Sequence, residues 1–354
     1  MLQTQLATLE PLDGGVQGEQ SAVWRGVDRL IDRAASLSDL AIHRLHLLAG
    51  PRLRAQGEPV PVELVNEERL AALRTLVAPM LLGRVREAYD GPIVLMKGLE
   101  IAASYPDPAL RPTRDLDLLV GDPDGAQRAL LAAGFEPIGG PDSYYELRHH
   151  LRPLILPGSP LMIEIHRRPE WVKWGKAPEV AELLEAAVPA RAGVEGILAL
   201  PPAQHALVVA AHSWSEVPLR RALDLVDTTL LASEADPAEL DALARRWGID
   251  RLWSSTESAS AALLLGDPMP WSLRTWARDI RDVRDRSVLE NHVRRVVSTF
   301  WALPPHRAVG AAGRALVSEV SPAPGDSWGT KLRRTRRALR NALSPLTHHD
   351  GDGR

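Results

Sequence analysis

The sequence predicts an α+β fold, in which a small mixed β-sheet with flanking helices is followed by an all-helical C-terminal domain. Two observations support this prediction. Short apolar runs bounded by Gly or Pro alternate with helical patterns between residues 91 and 170, and only helical periodicity is found in residues 171–325. Residues 21–90 also have helical spacing, so we expect N-terminal helices ahead of the sheet.

The segments ahead of the sheet differ in periodicity. Residues 1–20 contain Gly, Gln and Glu with little pattern, and we expect them to be flexible. Apolar residues recur at helical spacing from Ala22 to Leu48. A second helix is predicted over 66–89, with Asn66 as its N-cap. Asp90-Gly91-Pro92 ends that helix, because Pro restricts the residue before it.

Strands and helices alternate through the predicted sheet. In order, they are a strand over Ile93–Met96, a helix over Leu99–Tyr105, a strand over Leu116–Val120, a helix over Pro123–Gly134, and strands over Tyr144–Leu156 and Leu161–His166. Pro157-Gly158-Ser159 separates the last two strands and has the composition of a hairpin turn. Strands joined partly by helices and partly by a hairpin are typical of a mixed sheet.

The second half of the chain is predicted to be helical. A long helix is expected over His205–Ala232, and shorter helices over Pro237–Trp247, Ile249–Leu265, Leu273–Asp279 and Ser287–Trp301. Residues 326–354 are expected to form a basic helix and a flexible tail. Six Lys and Arg residues within 331–340 could contact RNA, an acidic peptide or a membrane surface, although a solvated helix face is the simpler interpretation.

Composition excludes several classes of function. The net charge of −3 argues against nucleic acid as a general partner. Cysteine is absent, which excludes disulfides, thiolate nucleophiles and Cys-type zinc sites and fits a cytoplasmic protein. The apolar runs are too short for a membrane span, and no signal-peptide pattern is found.

An Asp-x-Asp pair lies on the second predicted strand. Side chains alternate faces along a strand, so Asp115 and Asp117 point the same way while Leu116 and Leu118 point into the core. Adjacent carboxylates repel each other unless a cation lies between them, and Mg²⁺ prefers oxygen ligands. The pair therefore suggests a metal site for phosphoryl transfer, with a solvated strand face as the alternative.

Two further segments support the metal site. Ile93–Met96 runs into Lys97-Gly98 at a helix start, where backbone N–H groups and the lysine could approach a phosphate. Glu164 and His166 share one face of a later strand, so Glu164 could be a third carboxylate or accept a proton from an attacking hydroxyl. An ordinary turn and an exposed edge strand are the alternative interpretations.

Together these motifs resemble the nucleotidyltransferase superfamily with a DNA polymerase β-like core. More narrowly, residues 65–265 are similar to the uncharacterised nucleotidyltransferase family, some members of which occur beside natural-product and lasso-peptide biosynthesis genes. The similar segments are Leu95-Met-Lys-Gly-Leu, Tyr105-Pro, Arg111, Arg114-Asp-Leu-Asp-Leu-Leu-Val, Gly134-Phe, His149-His-Leu, Ile163-Glu-Ile-His166, Leu200-Pro, His205, His212 and Arg220-Arg-Ala-Leu-Asp224-Leu.

The resemblance implies a reaction and a set of site residues. A nucleoside monophosphate would move from a nucleoside triphosphate, with ATP as the expected nucleotide, to a small-molecule, peptide or protein acceptor. Mg²⁺ or Mn²⁺ would be held by Asp115, Asp117 and Glu164. Nucleotide-binding residues would be Lys97, Gly98 and Arg114, and the family's usual hydroxyl after the first turn glycine is replaced here by Leu99. Arg167 also stands where an aromatic residue often follows the Ile-His pair.

Four polar residues are candidates for substrate contacts or for supporting the site: His150, His166, His212 and Asp224. His212 and Asp224 could wall the nucleotide or acceptor pocket, or they could be buried polar residues that tie helices together. Three other functions remain open at this stage. They are a sugar-nucleotide glycosyltransferase, which also uses an Asp-x-Asp pair, a non-catalytic nucleotide- or partner-binding protein, and a toxin–antitoxin component.

Overall fold

The computed structural model describes residues 14–215, 217–322 and 326–345, and their side chains from residue 21 onward. The expected flexible segment over 1–20 therefore lies largely outside the described residues, although the chain is helical from Gly14. Most of the expected C-terminal tail, residues 346–354, also lies outside them.

The described chain is a helical protein built around one sheet. Its helices are α1 (Gly14–Arg33), α2 (Leu37–Ile42), α3 (His46–Ala55), α4 (Val62–Ala88), α5 (Leu99–Ala102), α6 (Pro123–Ala132), α7 (Val180–Ala186), α8 (Pro202–Ser213), α9 (Ala222–Ala232), α10 (Pro237–Arg246), α11 (Asp250–Ser260), α12 (Trp271–Thr275), α13 (Arg278–Arg281), α14 (Val288–Val297), α15 (Thr299–Ala302), α16 (Pro305–Val320) and α17 (Trp328–Arg340). The strands are β1 (Ile93–Leu95), β2 (Asp115–Val120), β3 (Glu136–Pro137), β4 (Leu154–Ile155), β5 (Met162–His166), β6 (Val188–Pro189) and β7 (Ile197–Ala199).

The sheet has seven strands in the order β3-β4-β5-β2-β1-β7-β6. β2 pairs parallel with β5 and antiparallel with β1, so both kinds of pairing meet in the middle of the sheet. This mixed sheet, with helices around it and helices throughout the C-terminal region, confirms the predicted α+β class. No helix in the described ranges is long and apolar enough to cross a membrane.

The two faces of the sheet pack against different parts of the chain. Leu116 and Leu118 of β2 belong to an apolar cluster that includes Leu81 and Leu82 of α4. Leu119, on the opposite face, packs in the large cluster formed mainly by the helices after residue 200. Because side chains alternate along β2, Asp115 and Asp117 share the face of Leu119 and point toward the helical half.

The prediction that strands end at about residue 170 was wrong. β7 pairs parallel with β1, with Ile197 opposite Ile93, and β6 pairs antiparallel with β7. Ile197–Ala199 is too short for its periodicity to be recognised, and pairing with a distant segment stabilises it as a strand. The predicted strand over Tyr144–Leu156 is likewise reduced to β4, which forms the expected hairpin with β5.

Several predicted helices differ from the observed ones, and those over Leu273–Asp279 and Ser287–Trp301 are each divided into two short helices. Helix α4 begins at Val62 after Pro61, so Asn66 lies inside the helix and is not its N-cap. The predicted helix over His205–Ala232 is two helices, α8 and α9, because a turn containing Pro218 separates them. As a result, His212 lies in the last turn of α8 and Asp224 in the first turn of α9.

Candidate functional site

Asp117 is the most buried carboxylate of the candidate site, with a residue exposure of 3%. The register of β2 and β5 places it beside Glu164, and Leu119 beside His166. Its Oδ1 atom accepts hydrogen bonds from Lys97 Nζ at 3.1 Å and from His166 Nε2 at 3.0 Å. Burial by itself would raise the pKa of Asp117, but Lys97 and His166 lower it well below its usual range. Asp117 is therefore ionised.

Glu164, unlike Asp117, is surrounded mainly by negative charge. Its Oε2 atom lies 3.7 Å from His166 Nε2, and its side chain is 19% exposed. Burial and the negative charges of Asp117 and Asp115 raise the pKa of Glu164 to about 8. Ionising Glu164 therefore creates a repulsion that a cation at this place would offset.

The donor set fits a divalent cation. Ligand atoms of Asp117, Glu164 and His166 all lie within 4.8 Å of one another. The two carboxylates suit Mg²⁺ or Mn²⁺, which prefer oxygen. His166 Nε2 already donates a hydrogen bond to Asp117, so this histidine fits best as a residue that orients the carboxylate. Asp115 lies outside the group of three, and its predicted role as a ligand stays a prediction.

Lys97 and Gly98 form the turn from β1 into α5. Gly98 has φ +67°, and a Cβ there would lie 3.2 Å from the Asp115 carbonyl oxygen and 3.3 Å from Thr113 Cγ2. Glycine is thus needed for both the backbone angle and the close approach. Burial opposes the charge of Lys97, but Asp117 and Asp115 raise its pKa, so the lysine is a cation.

Glu170 is a site residue that the sequence reasoning missed. Its Oε2 atom lies 2.6 Å from His212 Nδ1 and 3.7 Å from His149 Nε2, and its Oε1 atom accepts a hydrogen bond from Ser215 Oγ at 2.6 Å. Burial would raise the pKa of Glu170, but the contacts with His212 and Ser215 lower it. Glu170 follows β5 in an irregular segment, so no periodicity or spacing marks it in the sequence.

A cavity of about 170 Å³ lies between the sheet and the helical half. It brings predicted residues from distant segments together, since Glu164, His150, His212 and Asp224 all line it. The other lining residues are His149, Glu170, Ser213, Ser215, Val217, Arg220 and Arg221. The functional roles of His150, His212 and Asp224 stay predictions, but their positions fit substrate contacts.

His150, Arg114 and His205 differ in their surroundings. His150 is buried, its Nδ1 atom is 2.7 Å from the Leu151 carbonyl oxygen, and burial lowers its pKa. Arg114 lines a second pocket, together with Arg44 and Arg221, and does not line the cavity of Glu164. His205 contacts the carbonyl oxygen of Met96, and burial lowers its pKa to about 4, so it supports β1 as a neutral residue.

A buried ion pair joins the sheet region to the helical half. Arg111, which precedes β2, donates hydrogen bonds to Asp227 of α9. Tyr105 donates to the same carboxylate. Asp227 has no sequence motif of its own and lies three residues after Asp224, the residue that the resemblance suggests. The sequence reasoning therefore missed it.

A family model described as uncharacterised nucleotidyltransferase matches residues 31–262. This range covers β1, β2 and β5, the cavity and the first helices of the second half. The chain belongs to the uncharacterised nucleotidyltransferase family. Family membership confirms the resemblance found in the sequence and extends it to the N-terminal helices. Neither a curated protein nor a solved structure matches the chain.

Membership in the nucleotidyltransferase family indicates which reaction the group of Asp117, Glu164 and His166 could serve. Nucleotidyltransferases are transferases that act on nucleotides and generally use divalent metal ions. The Asp117, Glu164 and His166 group could hold such an ion. It lies on the sheet face that points toward the cavity, so an ion held there would be next to space for a substrate.

Proposed function

We propose that this protein transfers a nucleoside monophosphate from a nucleoside triphosphate, with ATP as the expected nucleotide, to an acceptor hydroxyl or phosphate. The proposal is supported mainly by one relationship, the side-by-side placement of Asp117 and Glu164 on neighbouring parallel strands. Asp115 lies one step away on the same strand face and adds to the negative field around Glu164. Carboxylates in this arrangement suit the cations that nucleotidyl transfer requires.

The carboxylates would hold Mg²⁺ or Mn²⁺, which stabilises negative charge on the phosphates when bound. Asp115, Asp117 and Glu164 are the proposed ligands, and His166 orients Asp117 through its hydrogen bond. Lys97 is a cation next to the Gly98 turn, where we place the triphosphate. Positioning and electrostatic stabilisation would then account for most of the rate enhancement.

In the proposed reaction, an acceptor oxygen forms a bond to the α-phosphorus of the nucleotide. The bond from that phosphorus to the bridging oxygen of the β-phosphate breaks, and pyrophosphate leaves. The acceptor proton passes to Glu164 where Glu164 acts as the base, and to solvent where Glu164 acts as the third metal ligand. The cavity beside Glu164 would hold the reacting end of the acceptor, and His150, His212 and Asp224 would contact it.

A label-transfer assay tests this proposal. The protein is incubated with each α-³²P-labelled nucleoside triphosphate, Mg²⁺ or Mn²⁺, and cell extract or candidate acceptors. Label should move to an acceptor with wild-type protein and be lost with Asp117→Asn and Glu164→Gln. Asp267→Asn is the control, because Asp267 is exposed in a loop far along the chain from the site.

The outcomes separate the alternatives. Label transfer that is unchanged in Asp117→Asn would contradict the proposed metal site. Nucleotide binding without transfer to any acceptor would instead favour a non-catalytic nucleotide-binding protein. Natural-product biosynthesis and a cytoplasmic location stay predictions, and the chemical class of the labelled acceptor would test the first of them.

A further inference from the structure

A second pocket, of about 450 Å³, lies beside the carboxylate site. Helix α2 and the turn after it, the start of α4, the segment before β2 and the N-cap of α9 form its walls. One part of its surface is cationic and contains Arg44, Arg114 and Arg221. The apolar lining residues include Leu37, Ile42 and Leu64, and the exposed carboxylates Glu63 and Glu67 of α4 also line the pocket. The pocket is therefore amphipathic, with its arginines grouped together.

Within the part of the chain that the structure describes, Arg44 and Arg221 have no directly bonded partner for their charge. Within the described ranges, neither side chain donates a hydrogen bond or forms an ion pair. Burial lowers the pKa of Arg221 to about 10, and the like charge of Arg44 adds to this effect. Burial also lowers the pKa of Arg44, which Asp224 and Asp115 only partly oppose. Nearby Arg111, by contrast, is fully paired with Asp227.

The backbone at Arg44 has an unusual conformation and is fixed by hydrogen bonds on either side. Arg44 follows the end of α2 with φ +59°, a left-handed conformation that glycine normally adopts after a helix. Its N–H donates to the Ala41 carbonyl oxygen, and the preceding His43 carbonyl oxygen accepts from the N–H of Leu223 in α9. A non-glycine residue in this conformation is strained, and such strain is often found at functional sites.

The pocket adjoins both parts of the proposed reaction site. Arg221 lines this pocket and also the cavity that contains Glu164. Arg114 directly precedes Asp115. The triphosphate is already placed at the Gly98 turn, and Gly98 does not line this pocket. A second cationic pocket at this position therefore suits the other substrate.

We propose that Arg44 and Arg221 bind an anionic group of the acceptor, a phosphate or a carboxylate. The apolar part of the acceptor would lie against Leu37, Ile42 and Leu64. This inference rests on the proposed nucleotidyl transfer and names the acceptor as an amphipathic anion. Phosphate and carboxylate are both bound well by guanidinium groups, which present paired N–H donors to two oxygens.

Binding of small probes tests the pocket without turnover. Hexyl phosphate, hexanoate and hexanol are titrated into the protein by ligand-observed NMR. The wild type should bind at least one of the two anions and bind hexanol far more weakly. Arg44→Gly and Arg221→Gln should each raise the Kd of the bound anion roughly tenfold or more, the value expected for a lost charge-assisted hydrogen bond. Comparing the two anions shows which group the pocket prefers.

The variants are chosen so that folding does not obscure the result. Arg44→Gly removes the guanidinium and places glycine where the backbone is left-handed, so its melting temperature should be close to that of the wild type. Arg44→Lys keeps a positive charge and should bind more tightly than Arg44→Gly. Arg245→Gln is the matched control, because Arg245 is exposed on α10 and lines neither pocket.

Four outcomes would contradict the inference in different ways. Anion affinity that is unchanged in both Arg44→Gly and Arg221→Gln would show that the arginines do not form the site. An equal loss of affinity for α,β-methylene-ATP with Mg²⁺ would show that the pocket holds the nucleotide and not the acceptor. If anion binding fails while label transfer is intact, only the pocket is wrong. If transfer fails while anion binding is intact, the proposed function fails and the acceptor assignment fails with it.

Discussion

Arg111 and Asp227 form a buried ion pair between the segment before β2 and helix α9. Arg111 Nη2 donates to Asp227 Oδ2 at 2.7 Å, and Nε lies 3.1 Å from both carboxylate oxygens. Tyr105 Oη donates to Oδ1 at 2.6 Å, and Arg111 Nη1 donates to the Gly98 carbonyl oxygen at 3.3 Å. The pair thus fastens the Gly98 turn to the helical half that covers the carboxylate face of the sheet.

Removing one partner of this pair should strongly destabilise the protein. Asp227→Asn would leave the buried Arg111 charge without compensation, and we expect the free energy of unfolding to fall by about 3–5 kcal/mol. Tyr105→Phe removes one hydrogen bond and should cost about 1 kcal/mol. Urea unfolding measures both changes, with the exposed Asp267→Asn as control. A change in Asp227→Asn no larger than that of the control would contradict a structural role for the pair.

Buried neutral histidines should make the protein less stable in mild acid. Burial lowers the pKa of His43 to about 4, while its Nε2 atom lies 2.9 Å from the Arg284 carbonyl oxygen. Between pH 6.5 and 4, the unfolded chain binds a proton that folded His43 does not bind. Its contribution to stability is therefore full above pH 6.5 and declines by up to about 1.4 kcal/mol per pH unit as the pH falls.

The His43 prediction can be checked by urea unfolding at pH 7.5, 6.0 and 5.0. His43→Gln should have a shallower decline in unfolding free energy than the wild type, because it removes one titrating group. His306→Gln is the control, since His306 is exposed. Equal slopes for the wild type and His43→Gln would show that His43 does not titrate differently in the two states.

Divalent cations should stabilise the folded protein through Asp117 and Glu164. Mn²⁺ or Mg²⁺ at 100 times its Kd should add about 2.7 kcal/mol to the free energy of unfolding, and EDTA should remove the gain. Without a cation, Glu164→Gln should be neutral or stabilising at pH 8.5, since it removes the repulsion that raises the pKa of Glu164. The same variant should lose most of the cation-dependent gain.

Mn²⁺ binding followed by electron paramagnetic resonance gives a direct readout of the same site. Asp117→Asn should abolish tight binding, whereas Asp267→Asn should leave it unchanged. Tight Mn²⁺ binding that survives in Asp117→Asn, Glu164→Gln and Asp115→Asn alike would place the metal site elsewhere. Comparison of these three variants also measures the contribution of Asp115, which the geometry alone leaves outside the group of three.

Glu170 should affect the rate of label transfer indirectly, through its contacts with His212 and His149. Glu170→Gln would weaken the contacts with His212 and His149, and we expect label transfer to fall by roughly tenfold to a hundredfold. The KM for the nucleotide should change little, because the triphosphate is placed at the Gly98 turn. Ser215→Ala, which removes one hydrogen bond to Glu170, should have a smaller effect. A loss confined to the nucleotide KM would contradict this role.

Local patterns predicted the central strands well. β1, β2 and β5 are apolar runs with clear ends, and the alternation along β2 correctly separates Leu116 and Leu118 from the carboxylate face. β6 and β7 were missed because both are short. β7 is stabilised by pairing with β1, more than 90 residues away in sequence, and β6 by pairing with β7. The break between α8 and α9 was also missed, although Pro218 marked it.

The sequence by itself determined which residues share a strand face with Asp117 or with Glu164, because two-residue periodicity is a local property of a strand. The pairing of β2 with β5, which places Asp117 beside Glu164, joins segments that are distant in sequence. Only the tertiary structure decided which residues surround that site. Glu170 and Asp227 act through side chains far away in sequence, and Arg44 and Arg221 meet only where α2 packs near the start of α9. Such contacts depend on packing between distant segments, which no periodicity in the chain records.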